Sequence, residues 1–382
     1  MTDTCLVGNT TDLPEKFKYL LSDSSIEVLA NETSGINSCH HLNFDQFKRG
    51  DYRKCIVIYS HHFGRYVHFD FEQGHTLTAE SEFSQVSFLP SEIPGTGFEN
   101  PCYMFRMFLW LYGICLAKNI EVEVIHNDTL YTSDDFIAER TAFFGDPIFM
   151  EKHNGVSLYG YHNSHNEFLT HCTGKENLLI VLGDSWVVGD NQDISKVWRP
   201  GQIKTSFSYL VAEHFDADLV VCGSPGNSNQ GALLNFLVWY LFNKDFTNEY
   251  KRVKVLCSST SMYRDFAVKG NIGNWIQHLR YDEYIFKQQD HKLLKDSMIA
   301  IETLIELLKT WDIPCYFIRS HSGAVHKKIL LSVDSMIQPN IPDVYNYNQM
   351  FGGTEYFSSC GHPSVKGNEY LAQEVIREIK EF

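Results

Sequence analysis

The second half of the chain alternates short apolar runs with helix-forming segments, and this rhythm constrains the fold more than any other feature. The apolar runs have the length of strands. They are Leu178–Leu182, Asp218–Cys222, Val253–Cys257 and Pro314–Ile318. Strands that alternate with helices form a parallel sheet with helices on both faces. The pattern therefore predicts a three-layer α/β sandwich, in which sites form beyond the carboxyl ends of the strands.

Apolar residues recur at helical spacing in the segments between and after these runs. The predicted helices are Gln202–Phe215, Gln230–Phe242, about Asp282–Trp311 and Ser364–Ile379. The sequence thus predicts the outer layers of the sandwich as well as its sheet.

The first half predicts a smaller mixed α+β domain, to which no motif assigns a role. Its predicted strands and helix are Arg53–Tyr59, Tyr66–Phe71, Tyr103–Ala117 (the helix) and Glu121–Ile125. Apolar residues of the helix, such as Phe105 and Phe108, are interpreted as core. A chain of 382 residues has room for two domains. We expect the polar stretch before Asn177 to separate residues 1–172 from residues 173–382, and no internal repeat is detectable.

Charge and hydropathy exclude two classes of partner. The formal charge is −15, and no run of Lys or Arg interrupts the acidic balance, which argues against a nucleic-acid partner. The longest apolar stretch, Met104–Ala117, contains Arg106 and is too short to span a bilayer. We therefore expect neither nucleic acid nor membrane among the partners.

Cysteine usage and the first residues predict a cytoplasmic protein. The ten cysteines are dispersed, no CxxC pair occurs, and Cys222, Cys257 and Cys315 lie in or at the end of apolar runs. This usage is typical of a reducing compartment. The segment MTDTCLVGNTTDLPEK lacks the basic start and apolar core of a signal peptide.

A group of histidines before the second domain suggests a metal site at first sight. His162, His165, His171 and Cys172 lie close together. Their spacing matches no known pattern of ligands, and the segment has the composition of a linker. We expect no metal here.

A serine follows the first apolar run directly, in the tripeptide Gly183-Asp184-Ser185. A serine at the tip of a strand is exposed near free backbone N–H groups, which stabilise an oxyanion on a carbonyl that the serine attacks. The segment Cys222–Asn229 follows the second run, and its glycines and proline form a tight loop. The N–H of Gly226 is a candidate second oxyanion donor, although an ordinary turn explains the same residues.

A histidine stands just before the last predicted helix. Ser364 is a good N-cap for that helix, and Pro363 stiffens the approach to it. His362 is therefore held where a general base is useful, although a lone histidine is more often a surface or packing residue.

Together, three motifs resemble those of the SGNH/GDSL hydrolase family. They are GDSW at Gly183–Trp186, PGNSN at Pro225–Asn229 and GHPSVKGNEYLA at Gly361–Ala372, and the resemblance covers Leu178–Phe382. It implies a flavodoxin-like three-layer sandwich and a reaction without a cofactor. It implies Ser185 as nucleophile, His362 as base, and the N–H groups of Ser185 and Gly226 in the oxyanion hole. The form of the motifs is most similar to members in bacteriophage and bacterial glycan-processing contexts, which is an analogy.

Two departures from the family pattern bear on activity. The acid that normally precedes the histidine is replaced by Ser359 and Cys360, and Glu355 is only a distant substitute. In a Ser-His-Asp system, loss of the acid lowers turnover by roughly 10⁴-fold. Some family members orient the histidine with a main-chain carbonyl instead.

The second departure follows the third strand, where the family has an oxyanion-binding asparagine. This chain has Ser258-Ser259-Thr260-Ser261 and then Arg264. Hydroxyls of Ser259 or Thr260, or the amides of Asn227 or Asn229, are candidate replacements. Loss of one oxyanion donor typically costs about 10²–10³-fold in kcat. The candidate substrate contacts are Asp184, Trp186, Asn229, Ser259, Thr260 and Arg264; for Arg264 an ion pair with Asp265 is an equal alternative.

The sequence supports two hypotheses of different classes. The first is a serine esterase or deacylase acting on a small-molecule or glycan ester, plausible substrates being O-acetyl groups of a glycan. The second is a catalytically degenerate binding or structural module with the same fold, as the missing acid and asparagine would suggest. A phage origin would add a virion-associated location to the second.

Overall fold

A computed structural model describes residues 2–8, 10–29, 50–59, 101–144, 147–153, 155–161, 167–189, 200–223, 227, 229–260, 299–319, 336–337, 355–358, 361–380 and 382. Contacts divide the chain between Asp146 and Pro147. The two units are described separately.

The second unit contains one sheet, which has eight strands among the described residues. In chain order they are β6 (Pro147–His153), β7 (Val156–Tyr161), β8 (Glu167–His171), β9 (Asn177–Gly183), β10 (Ala217–Gly223), β11 (Arg252–Ser259), β12 (Cys315–Arg319) and β13 (Met336–Ile337). The spatial order is β13-β12-β11-β9-β10-β8-β7-β6. Strands β9 to β13 are mutually parallel, and β8, β7 and β6 extend the sheet antiparallel.

The parallel strands have the flavodoxin-like order. Numbered by their appearance from β9 onward, they lie in the order 2-1-3-4-5. The strand that follows β9 in the chain, β10, lies on one side of it, and the next strand, β11, lies on its other side. The switch point of the topology therefore lies between β9 and β11. The flavodoxin-like parallel sheet expected from the sequence is therefore confirmed.

Strand β9 is buried on both faces, as its continuous apolar sequence predicts. Leu179 and Val181 belong to a core cluster with Phe207 and Leu371, which lie on two helices of one face. Side chains at alternate positions point to the opposite face of the sheet. The helix Asn229–Thr247 covers that face through contacts with β9 and β10. Each such buried side chain contributes about 1.5–3 kcal/mol. The result is the predicted three-layer sandwich.

Two helices of this unit follow serine N-caps, one of which the sequence predicts. In our numbering the helices of the unit are α3 (Phe207–His214), α4 (Asn229–Thr247) and α5 (Val365–Ile379), and residues 299–310 are also helical. The Ser206 hydroxyl accepts from the backbone N–H of Tyr209, and that of Ser364 accepts from the N–H of Gly367. Ser364 is thus the N-cap that the sequence predicts. The predicted helix Gln202–Phe215 is divided into a 3₁₀ segment, Pro200–Thr205, and α3.

The three antiparallel strands change the predicted division of the chain. The sequence places residues up to 172 in the first domain, whereas β6, β7 and β8 pair with one another and with β10 in the second unit. His171, treated as linker in the sequence, lies on β8, where its Nδ1 is 3.1 Å from the Gly155 carbonyl oxygen. These strands extend the sheet beyond β10.

A buried carboxylate fastens the amino end of β10. Asp218 is 1% exposed and accepts hydrogen bonds from the backbone N–H groups of Thr173 (2.7 Å) and Gly174 (3.2 Å) and from the Tyr250 hydroxyl (3.0 Å). We expect Asp218→Asn to lower the free energy of unfolding by about 2 kcal/mol, because an amide nitrogen cannot accept these bonds. Urea unfolding measures this.

The matched control for that substitution is Asp216→Asn. The Asp216 side chain is 76% exposed and pairs with Lys175, so its loss should change stability by less than about 1 kcal/mol. Equal effects of the two substitutions would contradict the role assigned to Asp218.

The first unit contains a second sheet, of five strands among the described residues. They are β1 (Thr4–Val7), β2 (Ile26–Val28), β3 (Lys54–Ile58), β4 (Glu121–His126) and β5 (Thr129–Thr132), with helices α1 (Pro101–Ala117) and α2 (Ser133–Phe144). The spatial order is β2-β1-β3-β4-β5, with β1 to β4 parallel and β5 antiparallel. Its parallel strands therefore repeat the order 2-1-3-4 of the second unit, although the sequence shows no repeat.

The sequence predicts part of this unit. The strands β3 and β4 and helix α1 confirm the predictions, and Phe105 and Phe108 of α1 are buried in the core. The predicted strand Tyr66–Phe71 lies outside the described residues. Across the described parts of both units, no helix combines the length and apolarity needed to cross a membrane.

Candidate functional site

Ser185 lies where β9 ends, at the switch point of the sheet. Residues 185–189 form a turn, and Ser185 is 6% exposed. Asp184 is fully buried and holds the turn, because its carboxylate accepts from the Trp186 N–H (3.1 Å) and its carbonyl accepts from the Val187 N–H (3.2 Å). The side chain of Trp186 is also buried. The turn thus fixes the backbone on which Ser185 stands.

Two glycines make room for this turn. A Cβ on Gly183 would lie 2.7 Å from Cγ1 of Val187 and 3.0 Å from Cβ of Ser258, and its φ of +154° disfavours other residues. A Cβ on Gly223 would lie 2.5 Å from the other methyl of Val187. Val187 therefore packs directly on the ends of β9 and β10, which brings the serine turn against the sheet.

The loop after β10 is tied to the end of β9. The Asn227 amide donates to the carbonyl oxygen of Gly183 at 3.1 Å. Asn229, the first residue of α4, bonds both backbone groups of Thr260: its Oδ1 accepts from the Thr260 N–H (2.9 Å), and its Nδ2 donates to the Thr260 carbonyl (3.3 Å). Gly226, the expected second oxyanion donor, lies outside the described residues. The two asparagines join the ends of β9, β10 and β11.

Hydroxyl groups follow one another at the carboxyl end of β11, and they differ in their partners. Ser259 donates to the Ile318 carbonyl on β12 at 3.1 Å. The hydroxyls of Ser258 and Thr260 are buried, and within the described structure neither has a hydrogen-bond partner. A buried unpaired hydroxyl costs about 1–3 kcal/mol. Ser258, which the sequence motifs did not single out, is distinguished only by this burial next to Gly183.

The loop that carries His362 closes on itself. The carbonyl oxygen of His362 accepts from the N–H (2.9 Å) and the hydroxyl (3.0 Å) of Ser358, and the Tyr356 carbonyl accepts from the Ser364 N–H (2.8 Å). Gly367 of α5 permits this, since a Cβ there would lie 2.0 Å from the Tyr356 carbonyl oxygen. His362 is partly exposed. The backbone on both sides of the imidazole is therefore fixed.

This loop packs on the serine turn. The ring of Phe357 lies 5.7 Å from that of Trp186, centroid to centroid, and both are buried in one core cluster. The segments that carry His362 and Ser185 are thus in contact at the carboxyl end of the sheet. Sequence reasoning missed Asn368, whose side-chain oxygen accepts from the Phe207 N–H (3.0 Å) and whose amide donates to the Pro363 carbonyl (3.1 Å).

The acid expected before the histidine has no replacement in Glu355. Its carboxylate pairs with Lys366, and this contact lowers the pKa of Glu355. Ser359, Cys360 and Arg264 lie outside the described residues. Within the described parts of the chain, no cluster of three or more His, Cys, Asp or Glu side chains is arranged to hold a metal ion.

No family model and no curated protein matches the chain. Solved structures match it at low identity, and three of them are named here. One is a carbohydrate esterase described as having divergent catalytic and non-catalytic binding functions in its active site; it is 15% identical, with 63% of this chain and 88% of that chain covered and a TM-score of 0.37.

The second is LAE5, an α/β hydrolase from the metagenome of Lake Arreo, Spain. It is 14% identical, with 55% of this chain and 96% of that chain covered and a TM-score of 0.30. The third is a lipolytic protein of the G-D-S-L family from Desulfitobacterium hafniense DCB-2. It is 13% identical, with 53% of this chain and 99% of that chain covered and a TM-score of 0.24. The fold assignment rests on the strand order of the sheet itself.

Proposed function

We propose that the second unit is a serine esterase or deacylase with Ser185 as nucleophile and His362 as general base. One observation carries the proposal: the serine turn stands at the switch point of a flavodoxin-like sheet, and the His362 loop packs on it through Phe357 and Trp186. Ligands of such sheets bind in the crevice beyond the carboxyl ends of the strands.

The reaction would proceed through an acyl-enzyme. The His362 imidazole takes the proton of Ser185 while its oxygen attacks the ester carbonyl, and the resulting oxyanion is stabilised by backbone N–H groups of Ser185 and Gly226. The carbon–oxygen bond of the ester then breaks, and the leaving alcohol takes the proton from the imidazolium. Water, deprotonated by His362, hydrolyses the acyl-enzyme and restores the serine.

We place the substrate among esters of small molecules or glycans, with O-acetyl groups on a sugar as the preferred class. The support is the resemblance of the three motifs and the aromatic content of 14%. Neither a metal ion nor an organic cofactor takes part in this scheme. The carbonyl of a fixed loop residue would orient His362 in place of the missing acid.

Covalent labelling tests the proposal without the natural substrate. A fluorophosphonate should modify the protein once, at Ser185, as mapped by peptide mass spectrometry. His362→Ala should abolish labelling, because the hydroxyl is then no longer activated. The control is His214→Ala, an exposed residue near the end of α3, which should label at the wild-type rate. Labelling of another residue, or equal labelling in His362→Ala, would contradict the mechanism.

Absence of labelling at every pH, together with no ester hydrolysis, would favour the degenerate module. Specific observations keep this second function in view: Ser359 and Cys360 stand where the family has its acid, and Glu355 is paired with Lys366. The crevice would then bind an ester or glycan without cleaving it.

Thr260 is our candidate for the missing oxyanion donor. Ser259, Asn227 and Asn229 all use their side chains in bonds to backbone groups, whereas the Thr260 hydroxyl has no partner within the described structure. We expect Thr260→Val to lower kcat about 10²-fold or more while leaving stability unchanged or higher, since it removes an unpaired buried hydroxyl.

Ser259→Ala is the matched control for this substitution. It should lower the free energy of unfolding by about 1 kcal/mol through loss of the bond to Ile318, with little change in kcat. Full activity of a folded Thr260→Val protein would exclude Thr260 from the oxyanion site. Ester hydrolysis and urea unfolding measure the two effects.

A further inference from the structure

The first unit has a carboxyl edge built like that of the second. Its parallel strands share the order 2-1-3-4, with the switch point between β1 and β3. Gly8 follows β1 as Gly183 ends β9: its φ is +124°, and a Cβ would lie 2.7 Å from the carbonyl oxygen of Ile58 on β3. The corresponding contact of Gly183 is with the carbonyl of Ser258, at 3.1 Å. In each unit a glycine at the end of the first parallel strand therefore lies close to the end of the neighbouring strand, at the switch point of the sheet.

An arginine of helix α2 lies at this edge among aromatic rings. The guanidinium carbon of Arg140 is 5.4 Å from the ring centroid of Tyr59, which follows β3, and 5.2 Å from that of Phe136. Its Nη2 lies 2.6 Å from Nε2 of His126, the last residue of β4. The side chain is 15% exposed. The Arg140 guanidinium thus lies at the strand ends, next to two aromatic rings and hydrogen-bonded to His126 through Nη2.

The histidine beside it is an acceptor and brings no negative charge. Its Nδ1 is 3.0 Å from the Tyr59 carbonyl oxygen, which can only accept, so Nδ1 carries the proton and Nε2 offers its lone pair to Arg140 and to the Asn127 amide. Burial and the adjacent Arg140 lower the pKa of His126. The neutral imidazole therefore does not compensate the charge of the guanidinium.

One acidic group faces Arg140, and it is shared. The nearest carboxylate oxygen of Glu139 lies 3.6 Å from Nη2, its side chain is 46% exposed, and it also accepts from the Tyr131 hydroxyl. The Nε–H of Arg140 is buried and has no hydrogen-bond partner in the described structure. Mostly buried cations are normally paired, and unpaired buried donors are costly. The Nε–H donor of the arginine thus lacks an acceptor among the described residues.

We propose that Arg140 and His126 form an anion site in the first unit, which takes a small ligand through a carboxylate or phosphate group. The ligand's oxygens accept from N–H groups of the Arg140 guanidinium, as guanidinium groups bind both anions through charge-assisted bonds. The rings of Tyr59 and Phe136 pack near the planar guanidinium and fix the direction of its donors. Arg140 belongs to the first unit and Ser185 to the second, and this proposal does not rest on the proposed esterase activity.

Calorimetric titration of the full chain with inorganic phosphate and, separately, with acetate tests the site and distinguishes the two anion classes. We expect saturable binding of at least one anion by the wild type, and roughly tenfold or greater weakening in Arg140→Gln. The control Arg53→Gln changes an exposed arginine just before β3, at the opposite edge of the same sheet, and should bind within about twofold of the wild type. Ser185→Ala should bind as the wild type does.

Two further measurements keep the test decisive if Arg140→Gln unfolds. Arg140→Lys retains a cation over the two rings and loses the planar donors, so it should fold and bind more weakly. In the wild type, the His126 ring resonances, identified by their loss in His126→Gln, should shift on titration with the anion that binds. Absence of saturable binding of both anions, or equal binding by folded wild-type and Arg140→Gln proteins, would overturn the proposal.

Discussion

Ser185→Ala is expected to lower kcat for hydrolysis of a chromogenic acetyl ester by at least about 10³-fold, with KM and the unfolding free energy nearly unchanged. The nucleophilic oxygen acts only in the chemical step, so its loss affects the transition state far more than ground-state binding. The side chain is small and lies on a turn that is held by Asp184 and Val187, so alanine fits without rearrangement. Steady-state kinetics and urea unfolding of the purified variant measure both quantities.

The matched control is Ser208→Ala, which removes a buried hydroxyl from the same neighbourhood. Ser208 donates to the carbonyl oxygen of Val187 at 2.9 Å, so its loss should cost about 1 kcal/mol of stability and leave kcat within a few-fold. Equal activity of wild type and Ser185→Ala would remove the serine mechanism and leave a binding module. Equal loss of activity in both variants would mean that the integrity of the turn, rather than the nucleophile, had been measured.

Gly183→Ala is expected to lower the free energy of unfolding by about 3 kcal/mol or more and to abolish activity in whatever protein remains folded. The added Cβ would meet Val187 at 2.7 Å and Ser258 at 3.0 Å, in a backbone conformation that alanine rarely adopts. Overpacking and backbone strain each cost about 1–3 kcal/mol. The turn and the end of β11 cannot both keep their places, so the position of Ser185 is lost as well.

Gly174→Ala separates strain from overpacking. Gly174 has a φ of +86°, but a Cβ there meets no atom within 4 Å, so its cost should be backbone strain alone, about 1 kcal/mol. Chemical denaturation of both variants gives the comparison. Similar losses in the two would show that the close approach of Val187 and Ser258 to Gly183 contributes little.

The central strands were predictable because burial on both faces leaves a continuous apolar signal. The run Leu178–Leu182 corresponds to β9, Asn177–Gly183, and Val253–Cys257 to β11, Arg252–Ser259. Both lie inside the sheet, where local sequence and tertiary environment favour the same structure. Helix α5 was equally clear, since Ser364 caps it and its apolar residues form one face.

The edges of the sheets could not be predicted in the same way. Strands β6, β7 and β8 are antiparallel, and β8 lies in a polar stretch with several histidines that resembles a linker, although it pairs with β10. In the first unit β1 pairs with β3, although nearly fifty residues separate Val7 from Lys54. Pairing of short strands at such separation is decided by the whole fold. The same strand order arises twice because chain handedness and burial limit the choices, without any repeated sequence.

The candidate site was predictable as a set of loops and not as a set of roles. The positions of Ser185 and His362 follow from strand ends and a helix cap, which the sequence displays. The choice between Ser259 and Thr260 depends on pleat, because neighbouring residues of a strand point to opposite faces. Only the structure shows that the Ser259 hydroxyl donates a hydrogen bond to the Ile318 carbonyl. The sequence likewise makes the amides of Asn227 and Asn229 candidate oxyanion donors, whereas in the structure both bind backbone groups.

Asn368 has a consequence for heat and denaturant inactivation. It is 4% exposed, and its one amide joins the first residue of α3 to Pro363, directly after the histidine. The backbone of His362 is therefore held by the docking of two helices as well as by the hydrogen bonds within its own loop. Catalytic competence and helix docking should then be lost together, as a single cooperative step. This arrangement disfavours a state in which His362 is mobile while the rest of the sandwich stays folded.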